Sequence, residues 1–182
     1  GNKEENDESQ IRELQEKFPV WMSDIHNLDE AVEMISAIGE LVDRKENAQR
    51  IINTIQVGFQ QMRSKVKDRK ISTAAYLIWK NPYMLSGRNT FIDSMMKELR
   101  LENVAPASRY PEIVLDDLRK LNPEVVFLSS EPYPFSEKHR DEIQRILPDA
   151  NVLIVDGEMF SWYGSRLQVA PEYFSGLLTQ LL

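Results

Sequence analysis

Val125-Val-Phe-Leu128 and Val152-Leu-Ile-Val155 are two short apolar runs, and the charged segment between them has helical character. Each run is nearly continuous rather than alternating, which is typical of strands in a parallel sheet covered on both faces. The intervening segment, Ser136–Leu147, is predicted to be a helix capped by the serine. The pattern therefore predicts a β-α-β unit with the right-handed crossover of parallel strands.

The alternation of strand and helix extends outward from these runs, from Ile71 to the C-terminus. It predicts an α/β fold with a mainly parallel sheet of four or five strands. The predicted strands are Ile71–Trp79, Glu124–Ser129 and Val152–Asp156. The predicted helices include one leading from Ser86 to about Leu99, one at Ile113–Leu121 and a closing helix from about Gln168 to Leu182.

The first seventy residues are predicted to be mostly helical. Their longest helix should run from about Arg44 to Lys67, and its apolar residues recur at steps of three and four. About 24 residues at 1.5 Å each give roughly 35 Å. The pattern alone favours an amphipathic packing helix over one that bridges two lobes. The other predicted elements are a helix at Glu5–Phe18, a strand at Val20–Ile25, and a helix that a capping box at Asn27–Glu30 opens and that ends near Leu41.

Composition excludes several classes of function. The 182 residues carry a formal net charge of −7, so no excess of lysine and arginine exists to neutralise the phosphates of a nucleic acid. The chain has no cysteine, which excludes disulfides, thiolate metal sites and cysteine nucleophiles. No apolar run approaches the ~20 residues that a membrane-spanning helix needs.

Aromatic side chains follow each of the three predicted strands. Because ligands bind at the carboxyl ends of parallel strands, these side chains should meet at one edge of the sheet. Such a surface suits a broad, largely apolar ligand. Arg88 and Arg166 are candidates to grip its anionic groups, with structural salt bridges as the alternative. The aromatics are Tyr83, Tyr133, Phe135, Phe160, Trp162 and Tyr163.

Signals for catalysis are weak. The two histidines are His26, predicted to be a loop residue, and His139, predicted to be solvated within a charged helix. Glu131 and Glu158 follow strands but have no identifiable catalytic partner in the sequence. No glycine-rich phosphate loop follows a strand, and no Gly-x-Ser-x-Gly elbow occurs.

Several separated segments, in this order along the chain, resemble the helical-backbone (cluster A, class III) substrate-binding proteins of ABC importers for ferric siderophores, haem and cobalamin. The segments are Asp43-Arg-Lys-Glu-Asn-Ala48, Tyr110-Pro-Glu-Ile113, Leu121-Asn-Pro-Glu-Val-Val-Phe127, Leu128-Ser-Ser-Glu-Pro-Tyr-Pro-Phe135 and Asp156-Gly-Glu-Met-Phe-Ser-Trp-Tyr-Gly-Ser-Arg166. The resemblance covers nearly the whole chain and is specific to the family rather than to one ligand.

The resemblance implies two Rossmann-like lobes joined by one long helix, with the ligand in a cleft between them. It assigns residues 1–27 to a remnant of an N-terminal lobe, 28–69 to helices including the inter-lobe helix, and 70–182 to the C-terminal Rossmann-like lobe. Most of the family's N-terminal lobe is then absent. Exposed apolar surface around Val20, Trp21 and Ile25 is expected to find a partner, including a second copy of the chain.

The resemblance also implies a non-enzymatic role outside the inner membrane, with a lipid anchor in the complete protein and an ABC permease as partner. Asp116 matches an acidic position that docks onto the permease. No cofactor or direct metal site is expected, since the metal arrives already chelated. The alternatives are a chelatase- or nitrogenase-like cofactor-handling subunit and a flavodoxin-like protein-interaction domain. The expected ligand-binding residues are Tyr83, Arg88, Tyr110, Tyr133, Phe160, Trp162 and Arg166.

Overall fold

A six-stranded sheet occupies the centre of the C-terminal part of the chain. The computed structural model describes residues 1–3, 6–70 and 72–181. The strands of the sheet are β1 (Ser72–Trp79), β2 (Tyr83–Leu85), β3 (Leu101–Asn103), β4 (Glu112–Ile113), β5 (Val125–Ser129) and β6 (Asn151–Val155).

The sheet is mainly parallel, as the sequence predicts. Its order is β4-β2-β1-β5-β6, and β3 pairs with the start of β1. The pairs of β1 with β3, β1 with β5, and β5 with β6 are parallel, whereas β2 runs antiparallel to both β1 and β4. The predicted count of four or five strands is too low. Only residues 80–82 separate β1 from β2, a length that suits a hairpin and is too short for a parallel crossover.

Helices cover both faces of the sheet. They are α1 (Glu8–Gln15), α2 (Leu28–Leu41), α3 (Lys45–Val66), α4 (Phe91–Glu98), α5 (Leu115–Leu121), α6 (Glu137–Ile146), α7 (Gly157–Ser161) and α8 (Ala170–Leu178), with a 3-10 turn at Ser165–Gln168. One core lies between the sheet and α2, α3, α4, α7 and α8. A second core lies on the opposite face, beneath α5 and α6.

The predicted long helix is present as α3, with 22 residues and a length of about 33 Å. Its buried side chains recur at three- and four-residue steps, which gives the helix one apolar face. That face packs against α2 and α8, and Phe59 meets Phe174 edge-on with ring centroids 6.3 Å apart. Its buried residues are Ala48, Ile52, Ile55, Phe59, Met62 and Val66.

The start of α2 keeps only one half of the predicted capping box. Asn27 caps α2 as predicted, because its side chain accepts from the Glu30 amide at 3.0 Å. The Glu30 carboxylate, however, accepts from the His26 amide at 2.6 Å rather than from Asn27. The N-cap residue of α3 is Arg44, and Asp43 before it has a φ of 54°.

The predicted strand at Val20–Ile25 is wrong. Among the described residues its backbone makes only an isolated bridge, between Ser23 and Asn2, and a strand needs a neighbouring edge that supplies a ladder of hydrogen bonds. Trp21 is exposed as expected, but Ile25 belongs to the core rather than to an exposed patch. The preceding helix, α1, has no buried residue among those described.

Candidate ligand-binding edge

The carboxyl ends of β1, β5 and β6 lie side by side. Leu77 pairs with Leu128, and Ser129 pairs with Val155, so the three strands end at one level. We call this end of the sheet, with the loops that follow the three strands, the carboxyl edge. Tyr83, Tyr133, Trp162 and Arg166 lie in two groups at this edge, and Arg88 and Tyr110 form a third group beside β2 and β4. Three other sequence-predicted aromatics are not exposed there: Phe135 and Phe160 are buried, and Tyr163 packs against Phe91 with ring centroids 5.4 Å apart.

The first group joins the end of β1 to α6. The Tyr83 hydroxyl donates to Glu142 at 2.9 Å, and the Lys80 ammonium donates to the other Glu142 oxygen at 2.5 Å. The hydrogen bond from Lys80 holds the pKa of Glu142 below its ordinary value. The ammonium also lies 5.3 Å from the centroid of the Tyr83 ring. Lys80 is thereby paired within the protein and is not free to neutralise a ligand.

Tyr133 lies beside this group in a cluster of rings. Its ring meets Trp79 at 5.8 Å, Phe135 at 4.8 Å and His139 at 5.5 Å between centroids. The hydroxyl of Tyr133 lies 3.3 Å from Nε2 of His139. Because the Ser136 amide donates to Nδ1 of His139 at 3.0 Å, the neutral ring carries its proton on Nε2 and donates it to Tyr133. The tyrosine proton is then free to point elsewhere.

His139 is buried, which corrects the expectation of a solvated residue. It stands at the third position of α6 and completes a capping box with Ser136. A histidine inside a charged run can be buried in this way because helix starts draw polar side chains back onto the backbone. The charges around it, on Glu137, Lys138 and Arg140, are less buried than the ring.

His139 should make stability depend on pH. Burial first, then the charges of Lys80 and Lys138, lower its pKa below the ordinary value of 6.5. The unfolded chain therefore takes up a proton near pH 6.5 while the folded chain resists it, so stability present above that pH is lost as the pH falls below it. We expect His139→Gln to flatten this dependence between pH 7.5 and 5, as measured by urea unfolding.

Glutamine is chosen at position 139 so that only the titrating group is lost and the helix cap is kept. Glutamine at the third helical position can still accept from the Ser136 amide and keep the cap, but it does not titrate. An equal pH dependence in parent and variant would show that His139 does not contribute to it.

The second group lies on α7 and the turn after it. Trp162 is 52% exposed, and its indole N–H donates to Oε1 of Glu131 at 2.9 Å. The Arg166 guanidinium lies 5.9 Å from the centroid of the indole and forms an ion pair with Glu158. Arg166 therefore forms a structural salt bridge in this structure, which was the alternative to a contact with the ligand.

Phe160 is not at the surface, and its assignment as a ligand contact is corrected. The ring is fully buried, with centroids 5.0 Å from Tyr76, 5.5 Å from Phe127 and 4.8 Å from Phe174. Residues 157–161 form a helix, α7, which buries Gly157 and Phe160, and the chain leaves this helix at Trp162, whose backbone is extended. Phe160 therefore enters the core while Trp162 is exposed.

The third group lies between β2 and β4. Arg88 is exposed and donates to the Pro106 carbonyl at 3.1 Å, and its backbone bridges to Ser108. Tyr110 is half-buried immediately before β4. The segment preceding α2 packs on the same turn, because Nδ1 of His26 lies 3.1 Å from the Asn89 carbonyl. Arg88 and Tyr110 are therefore brought close through the backbone of residues 106–109.

Asp116 is exposed on α5. Its neighbour Asp117 is engaged by Lys120 at 2.6 Å, whereas the ion pairs among the described residues do not include Asp116. This arrangement leaves a carboxylate available to a partner on the face of α5.

Several residues that hold the aromatic side chains of the carboxyl edge in place were not predicted as site residues from the sequence. Glu131, Glu142 and His139 organise the aromatics, and Trp79 is partly exposed at the end of β1. The carboxylate after β5 was visible in the sequence, but its partner Trp162 lies 31 residues away. Only the pairing of β5 with β6 brings the two together.

A hollow of about 650 Å³ lies away from the carboxyl edge, between α3 and α8, where Val57, Gly58 and Pro171 contribute to its lining. Among the described residues, no cluster of three or more histidine, aspartate or glutamate side chains is placed to hold a metal ion. Within the same residues, no helix combines the length and the apolar character needed to cross a membrane.

Solved structures share this fold. The vitamin B12 binding protein BtuF of Vibrio cholerae matches with a TM-score of 0.82 at 16% identity, over 100% of this chain and 73% of that one. The haem-binding protein RhuT of Roseiflexus sp. RS-1 matches at 0.81 and 14%, over 100% and 73%. An Fe3+-hydroxamate transport protein of Saccharomonospora viridis matches at 0.67 and 18%, over 82% and 55%.

Sequence comparison identifies the family. Among curated proteins, none matches this chain by sequence. The model of the family described as periplasmic binding protein matches residues 1–156, which is most of the chain, includes β1, β5 and β6, and ends before α7. This match confirms the family that the sequence segments resemble. The chain belongs to the periplasmic binding protein family.

Proposed function

We propose that the chain binds a metal chelate, a ferric siderophore, haem or cobalamin, at the carboxyl edge and delivers it to an ABC permease. The observation that carries the proposal is Trp162, which is 52% exposed at this edge although large aromatics are normally buried. Similar folds in proteins named for vitamin B12, haem and Fe3+-hydroxamate support the ligand class.

Family membership makes the chain a substrate-binding component of an ABC importer and not an enzyme. It also places the chain outside the cytoplasm. These statements disfavour the chelatase-like and flavodoxin-like alternatives. A lipid anchor, the division at residues 27 and 69, and self-association through the N-terminal segment stay predictions.

The proposed ligand contacts come from all three groups of residues. Tyr83 and Tyr133 offer half-buried rings beside α6, and Trp162 offers an exposed ring on the α7 side. Tyr110 offers a ring beside β4, with Arg88 at the margin. Arg166 lies at the margin too, but it must leave Glu158 before it can grip a ligand anion.

The test is an equilibrium titration of the protein with haem, cobalamin, a ferric tricatecholate and a ferric trihydroxamate, followed by calorimetry. We expect at least one member of this panel to bind with one-to-one stoichiometry, while the metal-free chelator and uncomplexed Fe3+ do not. Absence of binding by every member would refute the proposed ligand class.

A second experiment addresses delivery. Asp116→Lys should weaken the complex with the permease at least tenfold while leaving chelate affinity unchanged, because the substitution reverses an exposed charge on α5 that is not among the proposed ligand contacts. Co-purification or surface plasmon resonance with the detergent-solubilised permease measures the effect. Asp149→Lys is the matched control, since it reverses another exposed aspartate, located between α6 and β6. Equal permease binding by both variants would return Asp116 to an ordinary solvated position.

A further inference from the structure

Trp162 is held from two sides although half of it is exposed. Its indole N–H donates to Glu131 at 2.9 Å, and the Arg166 guanidinium lies over the ring, 5.9 Å from its centroid. A cation within about 6 Å of an indole face is attracted to it. The hydrogen bond fixes the direction of the ring edge, and the arginine covers one face. The exposed area of Trp162 is therefore concentrated on the opposite face.

The arginine is itself held in position. Its ion pair with Glu158, on the preceding turn of the chain, fixes the guanidinium and compensates its charge. Arg166 thus supports one face of the indole in this structure, and a ligand that stacks on the opposite, open face need not displace Arg166.

Glu131 is fixed by packing around its own stem. The Ser161 hydroxyl lies 3.1 Å from the same carboxylate oxygen and 2.9 Å from the Gly157 carbonyl, and its one proton is shared between these two acceptors. A Cβ at position 157 would lie 2.5 Å from Cγ of Glu131 and 2.5 Å from the Ser129 hydroxyl, so only glycine lets the start of α7 approach this closely. The carboxylate therefore has a defined place between β5 and α7 before any ligand arrives.

From this geometry we infer that Glu131 is a positioning residue, which holds the Trp162 ring in place with one face open before a ligand binds. The open face takes a chelate with a flat conjugated ring system. This claim about the ligand rests on the proposed function. An aromatic side chain that is already ordered loses little freedom when a ligand binds. A flat π-system can use the whole open face by offset stacking, whereas an aliphatic trihydroxamate shell offers no such surface.

The experiment begins without any ligand. In a background with Trp21→Phe and Trp79→Phe, Trp162 is the sole tryptophan, and time-resolved fluorescence anisotropy reports its mobility. We expect Glu131→Ala to add a sub-nanosecond loss of anisotropy, because the indole loses its acceptor. Glu131→Gln should restore the parent behaviour, since its amide oxygen still accepts. Urea unfolding of each variant verifies that the chain remains folded.

Ligand binding tests the claim that the open face of Trp162 takes a flat chelate. Calorimetry should show Glu131→Ala weakening a flat ligand such as haem about three- to tenfold, the effect of reordering one side chain on binding. A ferric trihydroxamate should bind more weakly than haem and respond to neither Glu131 variant.

The outcomes separate the claims. Unchanged Trp162 mobility in a folded Glu131→Ala variant would overturn the positioning role. Tighter binding of the trihydroxamate than of every flat chelate would overturn the ligand class. If no chelate binds at all, the proposed function fails and the ligand class with it, while the anisotropy of the ligand-free protein still decides the role of Glu131.

Discussion

Phe160→Ala should lower the free energy of unfolding by about 3–5 kcal/mol, which is the usual effect of truncating a fully buried phenylalanine. The ring fills the space between Tyr76, Phe127 and Phe174 and has no exposed surface. Since domains are stable by only about 5–15 kcal/mol, this loss is a large part of the total. Urea unfolding followed by circular dichroism measures it.

Two further variants make this result specific. Phe160→Leu keeps most of the apolar volume, so it should cost clearly less than the alanine variant. Trp162→Ala removes a larger ring two positions away, yet we expect it to change stability by less than about 1 kcal/mol because that ring is mostly outside the core. Equal losses for Phe160→Ala and Trp162→Ala would contradict the buried placement of Phe160.

The elements that the sequence predicts well are those whose pattern is long or strongly apolar. Residues of α3 repeat a buried position over six turns, and β5 is buried along its whole length. Their signals come from many residues that agree. By contrast, β2, β3 and β4 contain three, three and two residues, and such short strands depend on a neighbouring edge rather than on their own pattern.

At the carboxyl edge, too, the sequence predicted some residue positions and not others. Strand order was enough to place Tyr83, Tyr133 and Trp162 at one end of the sheet, because ligand sites follow the carboxyl ends of parallel strands. It was not enough to separate Trp162 from Phe160, since that distinction requires knowing that residues 157–161 are helical. Nor could it reveal that Arg166 and Lys80 are each paired with a glutamate.

The paired cations change what the edge can recognise. The sequence suggested that an arginine neutralises anionic groups of the ligand, yet the Arg166 charge is compensated by Glu158 and the Lys80 charge by Glu142. Binding an anion at either cation would require breaking an ion pair that is partly shielded from water. Beside α6 and α7, aromatic contact rather than charge is then the main source of affinity, and Trp162 is the most exposed of the three proposed aromatic contacts there.

Trp162→Ala should therefore raise the dissociation constant of the bound chelate about 10- to 100-fold. Covering an exposed aromatic contributes about 1–3 kcal/mol, and each 1.4 kcal/mol is a tenfold change in affinity. Calorimetry is the appropriate measurement, because the substitution also removes the fluorophore that a quenching assay would follow. Stability should stay within about 1 kcal/mol of the parent, so a loss of affinity cannot be assigned to unfolding.

Trp21→Ala is the matched control for that measurement. Trp21 is 42% exposed, close to the 52% of Trp162, but it lies in the segment before α2 rather than at the carboxyl edge. If affinity depends on the edge, the control retains the parent dissociation constant while Trp162→Ala does not. If both variants bind as the parent does, the ligand contacts a different surface. If both lose affinity equally, the contact extends to the N-terminal segment, and Trp162 is not the dominant ring of the site.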